Sequence, residues 1–579
     1  MLDRQINLFR LDTDAFLYPE EQERANEKQC VARLYNVFKD IANKDDDDYE
    51  ELKKEAKKAL NQAYKEYTEF IKENANKYIE YNKTHENKRI RQLNRDKLYY
   101  VDMKNKKEKI NPRRIISMFE STLTRSFGIK QDELTFDIFV VEIYYYDIGK
   151  DLILNGFDYD GVHYVYFSSS AGQIRTKKAV FVREDKYNEN WMKLTCGLTV
   201  ERINELGGMS VNKYLAYLAL VNSATDLWED VLRKPFDIDK CIVVDDFETM
   251  VHATVDNIDP ETYEITPNVE MDVPIPHTDG CGMVLPSISE KNFMIRMSWF
   301  KGLMSSFDFK KFCIDNNCTK VEDIYGFEYD IVEDDIQIIF TKSQFKMWSF
   351  WSDFKTYRED FKKYGCEVGI CSIEEDKIPN AQINYQMLQT LSDMTDEEIE
   401  KLCAPANKKI EKLSDSLESI LRFYRYPVDK DENEEYEHPS WFNKALGIYP
   451  ELLSDKATQR DIKDKRNSLV KQYKSGKLDV RGKFTFVLPD LYAFCEWLFM
   501  GIEVPQGLLK NGEVSCRLYS NAEELDCLRS PHLSKEHAVR KNVYNNIARS
   551  QAINSWFNTD AIYTSTFDTI SRTLQLDDH

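Results

Sequence analysis

Two β-rich stretches with a long helix-forming stretch between them constrain this chain more than any other feature. The first, Thr278 to roughly Ile373, is a series of short apolar runs broken by Gly, Pro and Asp, the pattern of a compact β-barrel. From about Asn380 to Lys477 the sequence turns to helix, as in Asp396-Glu397-Glu398-Ile399-Glu400-Lys401-Leu402, interrupted by Pro427 and an acidic loop from Asp429 to Glu437. The second β-rich stretch opens at Gly482-Lys483-Phe484-Thr485-Phe486-Val487-Leu488-Pro489 and continues to His579, with one helix expected near Lys535–Phe557. The expected fold class is therefore α+β and multidomain. Residues 1–114 form a helical region, 115–266 a mixed α/β domain, 267–378 a first barrel, 379–480 a helical connector and 481–579 a second barrel.

Composition limits the alternatives. A hydrophobic fraction of 42% with 13% aromatics excludes a disordered chain. A formal net charge of −21 argues against a histone-like binder that coats nucleic acid. It leaves room for a local basic channel or a carboxylate metal site. The start, Met1-Leu2-Asp3-Arg4-Gln5, is not a secretory signal, and no apolar run approaches the roughly 18 residues of a membrane span. Cysteines are scattered; Cys313/Cys318 and Cys366/Cys371 are spaced more loosely than zinc knuckles. Free thiols in a reducing cytoplasm, with no membrane partner, are the expectation.

Residues Asp48 to Tyr81 read as one amphipathic helix, with Leu52, Ala56, Ala59, Ala63, Tyr67, Phe70 and Ala75 as its apolar stripe. The run Asp45-Asp46-Asp47-Asp48 is expected to cap it. A basic block follows, Lys83 to Arg114, with twelve Lys/Arg against four acids, a net of +8, and Tyr99 and Tyr100 inside it. That pattern suits phosphate contact with base stacking and equally suits a solvated helix and loop. β-rich runs follow at Phe136–Val141 and Val162–Phe167.

Five short segments carry the chemistry. His277-Thr278-Asp279-Gly280-Cys281-Gly282 is a tight turn needing positive φ, with Asp279 a turn residue rather than a metal ligand. Ile295-Arg296-Met297-Ser298-Trp299-Phe300-Lys301-Gly302-Leu303 sets a lysine beside a glycine, where it can approach a phosphate closely. Phe340-Thr341-Lys342-Ser343-Gln344-Phe345-Lys346-Met347-Trp348 follows the apolar strand Ile336–Ile339, and Arg529-Ser530-Pro531-His532-Leu533 precedes His537 and Arg540. The sequence given ends Leu574-Gln575-Leu576-Asp577-Asp578-His579.

In this order, the segments from Thr278 onward resemble the two-barrel (double-psi β-barrel) RNA polymerases, in particular cellular-type RNA-dependent RNA polymerases and their bacterial-phage relatives. The matching elements are Thr-Asp-Gly-x-Gly, Lys-Gly, Ser-Gln-x-Lys, Arg-x-Pro-His-Leu and an aspartate lead-in. Thr341 and Lys342 depart from the family's Arg-Pro. The resemblance implies two double-psi β-barrels joined by the helical connector, and a nucleotidyltransferase joining ribonucleoside triphosphates on an RNA or DNA template. Lys301, Lys346 and Asp577 would be catalytic; Arg529, His532 and Arg540 would contact nucleic acid or nucleotide. Three residues, Lys301, Lys346 and Arg529, would converge from the two barrels on the place Asp577 enters.

The family ends its second barrel with Asp-x-Asp-Gly-Asp, whose carboxylates hold Mg²⁺. Here Asp577 matches the first aspartate and His579 falls on the second. The resemblance thus implies a second barrel truncated at its metal loop and a polymerase inactive as this chain. The missing carboxylates would come from a downstream polypeptide, or the sequence would be a truncated or frameshifted gene product. A phage-type DNA-directed polymerase fragment, a non-catalytic nucleic-acid-binding protein keeping the scaffold, and an interaction scaffold built on the helical arms are the competing readings.

Overall fold

Runs such as Ile138-Phe139-Val140-Val141 and Cys241-Ile242-Val243-Val244 are short and rich in β-branched and aromatic residues, and they form inner or fully buried strands. The structure, a computed structural model, describes residues 4–41, 48–169, 177–259, 262–376, 378, 380–383, 387–388, 391–413, 416–423, 441–520, 522–528, 537–544 and 548–568. It is a multidomain α+β chain. Two compact units comprise residues 1–246 with 278–373, and residues 247–277 with 374–579.

The first unit holds two seven-stranded sheets. In the N-terminal sheet, Gln5–Asp12 lies between Leu134–Glu142, its parallel neighbour, and Ile115–Phe119, its antiparallel one. The helix read from Asp48 to Tyr81 spans Tyr49–Thr84. Apart from Tyr49 at its start, its buried positions lie in the C-terminal half, at Tyr67, Ile71, Asn74, Ala75, Tyr78, Ile79 and Asn82, while Leu52 is exposed. The expected stripe therefore holds only from Tyr67 onward, where the helix reaches the helix Tyr146–Asn155. Asp48 occupies the N-cap, but its side chain makes no capping bond; Asp45, Asp46 and Asp47 lie outside the described residues. A fully buried Arg91 bonds Glu21 (2.7 Å) and Asp151 (2.6 Å), joining two helices to an edge strand. Much of the basic block forms an exposed hairpin, Tyr99–Asp102 with Lys107–Ile110.

The other sheet of this unit carries the motifs. Its order is Asp226–Leu227, Gly369–Ile373, Phe293–Met297, Phe300–Ser306, Cys281–Val284, Ile338–Thr341, Cys241–Val244. Cys241–Val244 runs parallel to Ile338–Thr341, which is antiparallel to Cys281–Val284. Cys281–Val284 runs parallel to Phe300–Ser306, which is antiparallel to Phe293–Met297.

The second unit contains a long hairpin, Glu248–Ile258 with Ile265–Pro276, helices including Asp396–Lys412 and Lys456–Lys474, and a five-stranded sheet. In that sheet Val487–Pro489 is parallel to Ile562–Thr564, which is antiparallel to Glu513–Ser515. Glu513–Ser515 is parallel to His537–Asn542, which is antiparallel to Glu524–Leu528. Taken in chain order, the five strands have the same neighbours and directions as Cys241–Val244, Cys281–Val284, Phe293–Met297, Phe300–Ser306 and Ile338–Thr341 of the motif-bearing sheet.

The likeness reaches single residues. Thr278–Cys281 is a turn closed by the Cys281 N–H on the Thr278 carbonyl (2.9 Å), and Lys510–Glu513 is closed in the same way (3.0 Å). Each has glycine at positive φ in its third position, Gly280 at 65° and Gly512 at 80°. Each glycine carbonyl then accepts from the fourth strand, from Leu303 (2.8 Å) and Lys541 (3.0 Å). Parallel pairing of strands close in sequence demands crossover connections, so the repetition of two such pairs is a specific signature.

Two sequence expectations change here. The helix expected over Lys535–Phe557 is a strand, His537–Asn542, followed by a short helix, Ala548–Asn554. Pairing on both sides of the strand overrides local propensity. Of the stretch Gly482–Pro489, only Val487–Pro489 pairs.

Candidate active site

Phe300 and Phe345 organise the motif-bearing sheet. Their rings stack at 4.2 Å and 15°, and their backbones form an antiparallel bridge. Both are fully buried against Phe354 and Tyr357 of the helix Phe354–Lys363. Lys301 and Lys346 are the residues directly after this stacked pair, so one hydrophobic contact fixes the backbone that presents both. The Lys346 N–H donates to the Trp299 carbonyl (2.9 Å), the Trp299 indole to the Thr195 carbonyl (2.7 Å), and the Tyr357 hydroxyl to the Ser298 carbonyl (2.8 Å). These bonds hold Trp299 at a φ of 68°, a conformation costly for a residue with a side chain.

Glycines and a glutamine lock the turn to the lysines. The Gln344 amide donates to the Leu303 carbonyl (3.0 Å) and the Gly280 carbonyl (3.3 Å), and its oxygen accepts from the Thr341 N–H (3.0 Å). A Cβ at Gly302 would collide with this amide and stand 2.6 Å from the Gly280 carbonyl. One at Gly282 would meet the Gln344 oxygen at 2.6 Å. Ser343 accepts from the Gly280 N–H (2.7 Å) and donates to Asp246, whose other oxygen accepts from the Ser343 N–H (2.9 Å). Burial holds the Asp246 carboxyl above its ordinary range, against the Ser343 bonds that favour its charge.

Electrostatics single out Lys301. Its side chain is solvent-exposed, yet the surrounding protein still partly desolvates its ammonium group. Its pKa is held below the ordinary lysine value, first by desolvation, then by Arg296 and by Lys346; the exposed Asp279 opposes them. Arg296 is its cross-strand partner. Sequence reasoning missed Arg296 and Asp246. Arg296 stood in a quoted motif, but its facing Lys301 follows only from the strand register; Asp246 follows the apolar run Cys241–Val244 and shows no other signal.

Arg540 lies in the second unit, on His537–Asn542, and its guanidinium grips the buried Asp568 with two bonds (2.6 and 2.9 Å). Arg529, His532 and Asp577 lie outside the described residues. Mg²⁺ needs several oxygen ligands arranged octahedrally. Among the described residues no group of three or more His, Cys, Asp or Glu is placed to hold a metal, and both Asp246 oxygens are engaged by Ser343. The described residues alone do not fit a Mg²⁺ site.

The family model for RNA-dependent RNA polymerase matches residues 77–544. The chain belongs to the RNA-dependent RNA polymerase family. It is 43% identical over 577 residues to the DNA-directed RNA polymerase YonO of Bacillus phage SPbeta, a match covering 100% of this chain and 63% of that relative. The chain thus spans less than two thirds of the relative's length. Within this RNA-dependent RNA polymerase family member, the matched range contains Lys301, Lys346, Arg529, His532 and Arg540 and stops short of Asp577. All twelve cysteines are free thiols. Among the described residues no helix is long and apolar enough to cross a membrane.

Proposed function

We propose that this chain carries the two-barrel core of an RNA polymerase that joins ribonucleoside triphosphates on a nucleic-acid template. The observation that carries the reading is the five-strand connectivity repeated in both units, with Lys301 and Lys346 presented from the first. In this reading each five-strand set is a double-psi β-barrel, within the domain limits 1–114, 115–266, 267–378, 379–480 and 481–579. Lys301 and Lys346 neutralise charge on the phosphates of the incoming nucleotide. Charge neutralisation and positioning are most of what a protein contributes to phosphoryl transfer. Arg529, His532 and Arg540 contact nucleic acid or nucleotide.

Mg²⁺ would supply the hydroxyl activation and charge neutralisation of the reaction. Asp577 is its proposed ligand. DNA is the favoured template, since the relative matching the whole chain is DNA-directed by name. The proposed setting is the cytoplasm.

Incorporation of labelled UTP on single-stranded DNA and on RNA tests this, alongside equilibrium binding of UTP and of each template. The purified chain is expected to bind both ligands. Incorporation abolished by Lys346→Ala would establish the activity. Failure to bind either triphosphate or template would overturn the polymerase reading.

A further inference from the structure

Arg296 and Lys301 face one another on the strands Phe293–Met297 and Phe300–Ser306. Like charges directly opposite on neighbouring strands repel and are disfavoured. Yet among the described residues no carboxylate forms an ion pair with Arg296, Lys301 or Lys346. Arg296 donates from Nη1 to its neighbour, the Ile295 carbonyl (2.7 Å), and its buried Nε has no hydrogen-bond partner among the described residues. A buried guanidinium nitrogen left without an acceptor is costly. The repulsion across the ladder would be relieved by an anion with several oxygens beside this pair.

We propose that Arg296 is a third phosphate-binding cation of this site, gripping the triphosphate of the incoming nucleotide beside Lys301 and Lys346. The inference rests on the polymerase reading and adds a residue to it. A guanidinium presents a planar fork that can bond two phosphate oxygens, whereas a lysine is a point charge. Arg296 would therefore fix the orientation of the triphosphate while the lysines supply charge. Lys301 is coupled to both other cations, as its lowered pKa records. Arg296 and Lys301 also both act on the Cys371 thiol, and so share one patch of the sheet.

The test is the affinity of the full chain for inorganic triphosphate, measured by calorimetry for the wild type, Arg296→Met, Arg296→Lys and Lys301→Met, with circular dichroism confirming the fold. Arg296→Met is expected to weaken binding by about tenfold, and Arg296→Lys to recover only part of the loss. Phenylglyoxal labelling of the wild-type protein provides a second readout needing no variant: triphosphate should protect the peptide containing Arg296. Unchanged affinity in Arg296→Met, or labelling of Arg296 indifferent to triphosphate, overturns the proposal. If Lys301→Met alone weakens binding, Arg296 is excluded and the polymerase reading survives. If the wild type binds no triphosphate, both fall.

Discussion

Lys301 and Lys346 owe their placement to residues that do no chemistry. Phe300 and Phe345 stack beneath them, and Gln344 fills the space that Gly282 and Gly302 leave open. A methyl group at position 302 must displace either the Gln344 amide or the backbone of Gly280. Gly302→Ala is accordingly expected to cost about 1–3 kcal/mol of stability and to weaken triphosphate binding. Thermal unfolding and titration check both, and a variant indistinguishable from wild type would show that the lock is unimportant. The glycines, Ser343, Gln344 and both lysines were legible as motifs, because each sits at a fixed offset from a turn or a strand end. Arg296 and Asp246 were not. Their partners, Lys301 and Ser343, are brought opposite by strand register and chain return, and no local pattern encodes either.

Among the elements, the legible ones are marked by their apolar residues: the helix Tyr49–Thr84 buries one face of its C-terminal half, and the strands Leu134–Glu142 and Val162–Ser168 are short apolar runs. His537–Asn542 is not: it contains Arg540 and Lys541 and becomes a strand by pairing on both edges. One element junction has a pH signature. Asp490 caps the helix Leu491–Met500, is buried, and accepts N–H groups of Ala493 (3.0 Å), Leu508 (2.6 Å) and Leu509 (2.9 Å). Desolvation outweighs these bonds and pushes its pKa up from 3.8 to about 6. The folded state therefore holds a proton that the unfolded chain releases. The contribution of this group to stability is full below about pH 4 and is lost as the pH rises to about 6, on the order of 3 kcal/mol. Asp490→Asn should flatten that part of the profile. It should also lower stability by about 1–3 kcal/mol, because an amide cannot accept at both ends. Unfolding midpoints across this range decide it; identical slopes in both proteins would contradict the account.

At the scale of the whole molecule, two units carry the same five-strand connectivity, and the chain is a member of the RNA-dependent RNA polymerase family. The likeness of the two strand sets was legible only as two β-rich stretches. Which strand pairs with which, and in which direction, is a tertiary property that the apolar runs do not encode. The bonds of the Arg540 guanidinium to Asp568 likewise follow from the fold and not from the motif. The central claim is that nucleoside triphosphate binds at the lysines flanking the Phe300–Phe345 stack. Affinity labelling tests it most directly, with a ribonucleoside triphosphate bearing a lysine-reactive group on its terminal phosphate and peptide mapping of the product. The account predicts label concentrated on Lys301 and Lys346 and competed away by unmodified triphosphate; label spread over surface lysines and insensitive to competition would contradict it.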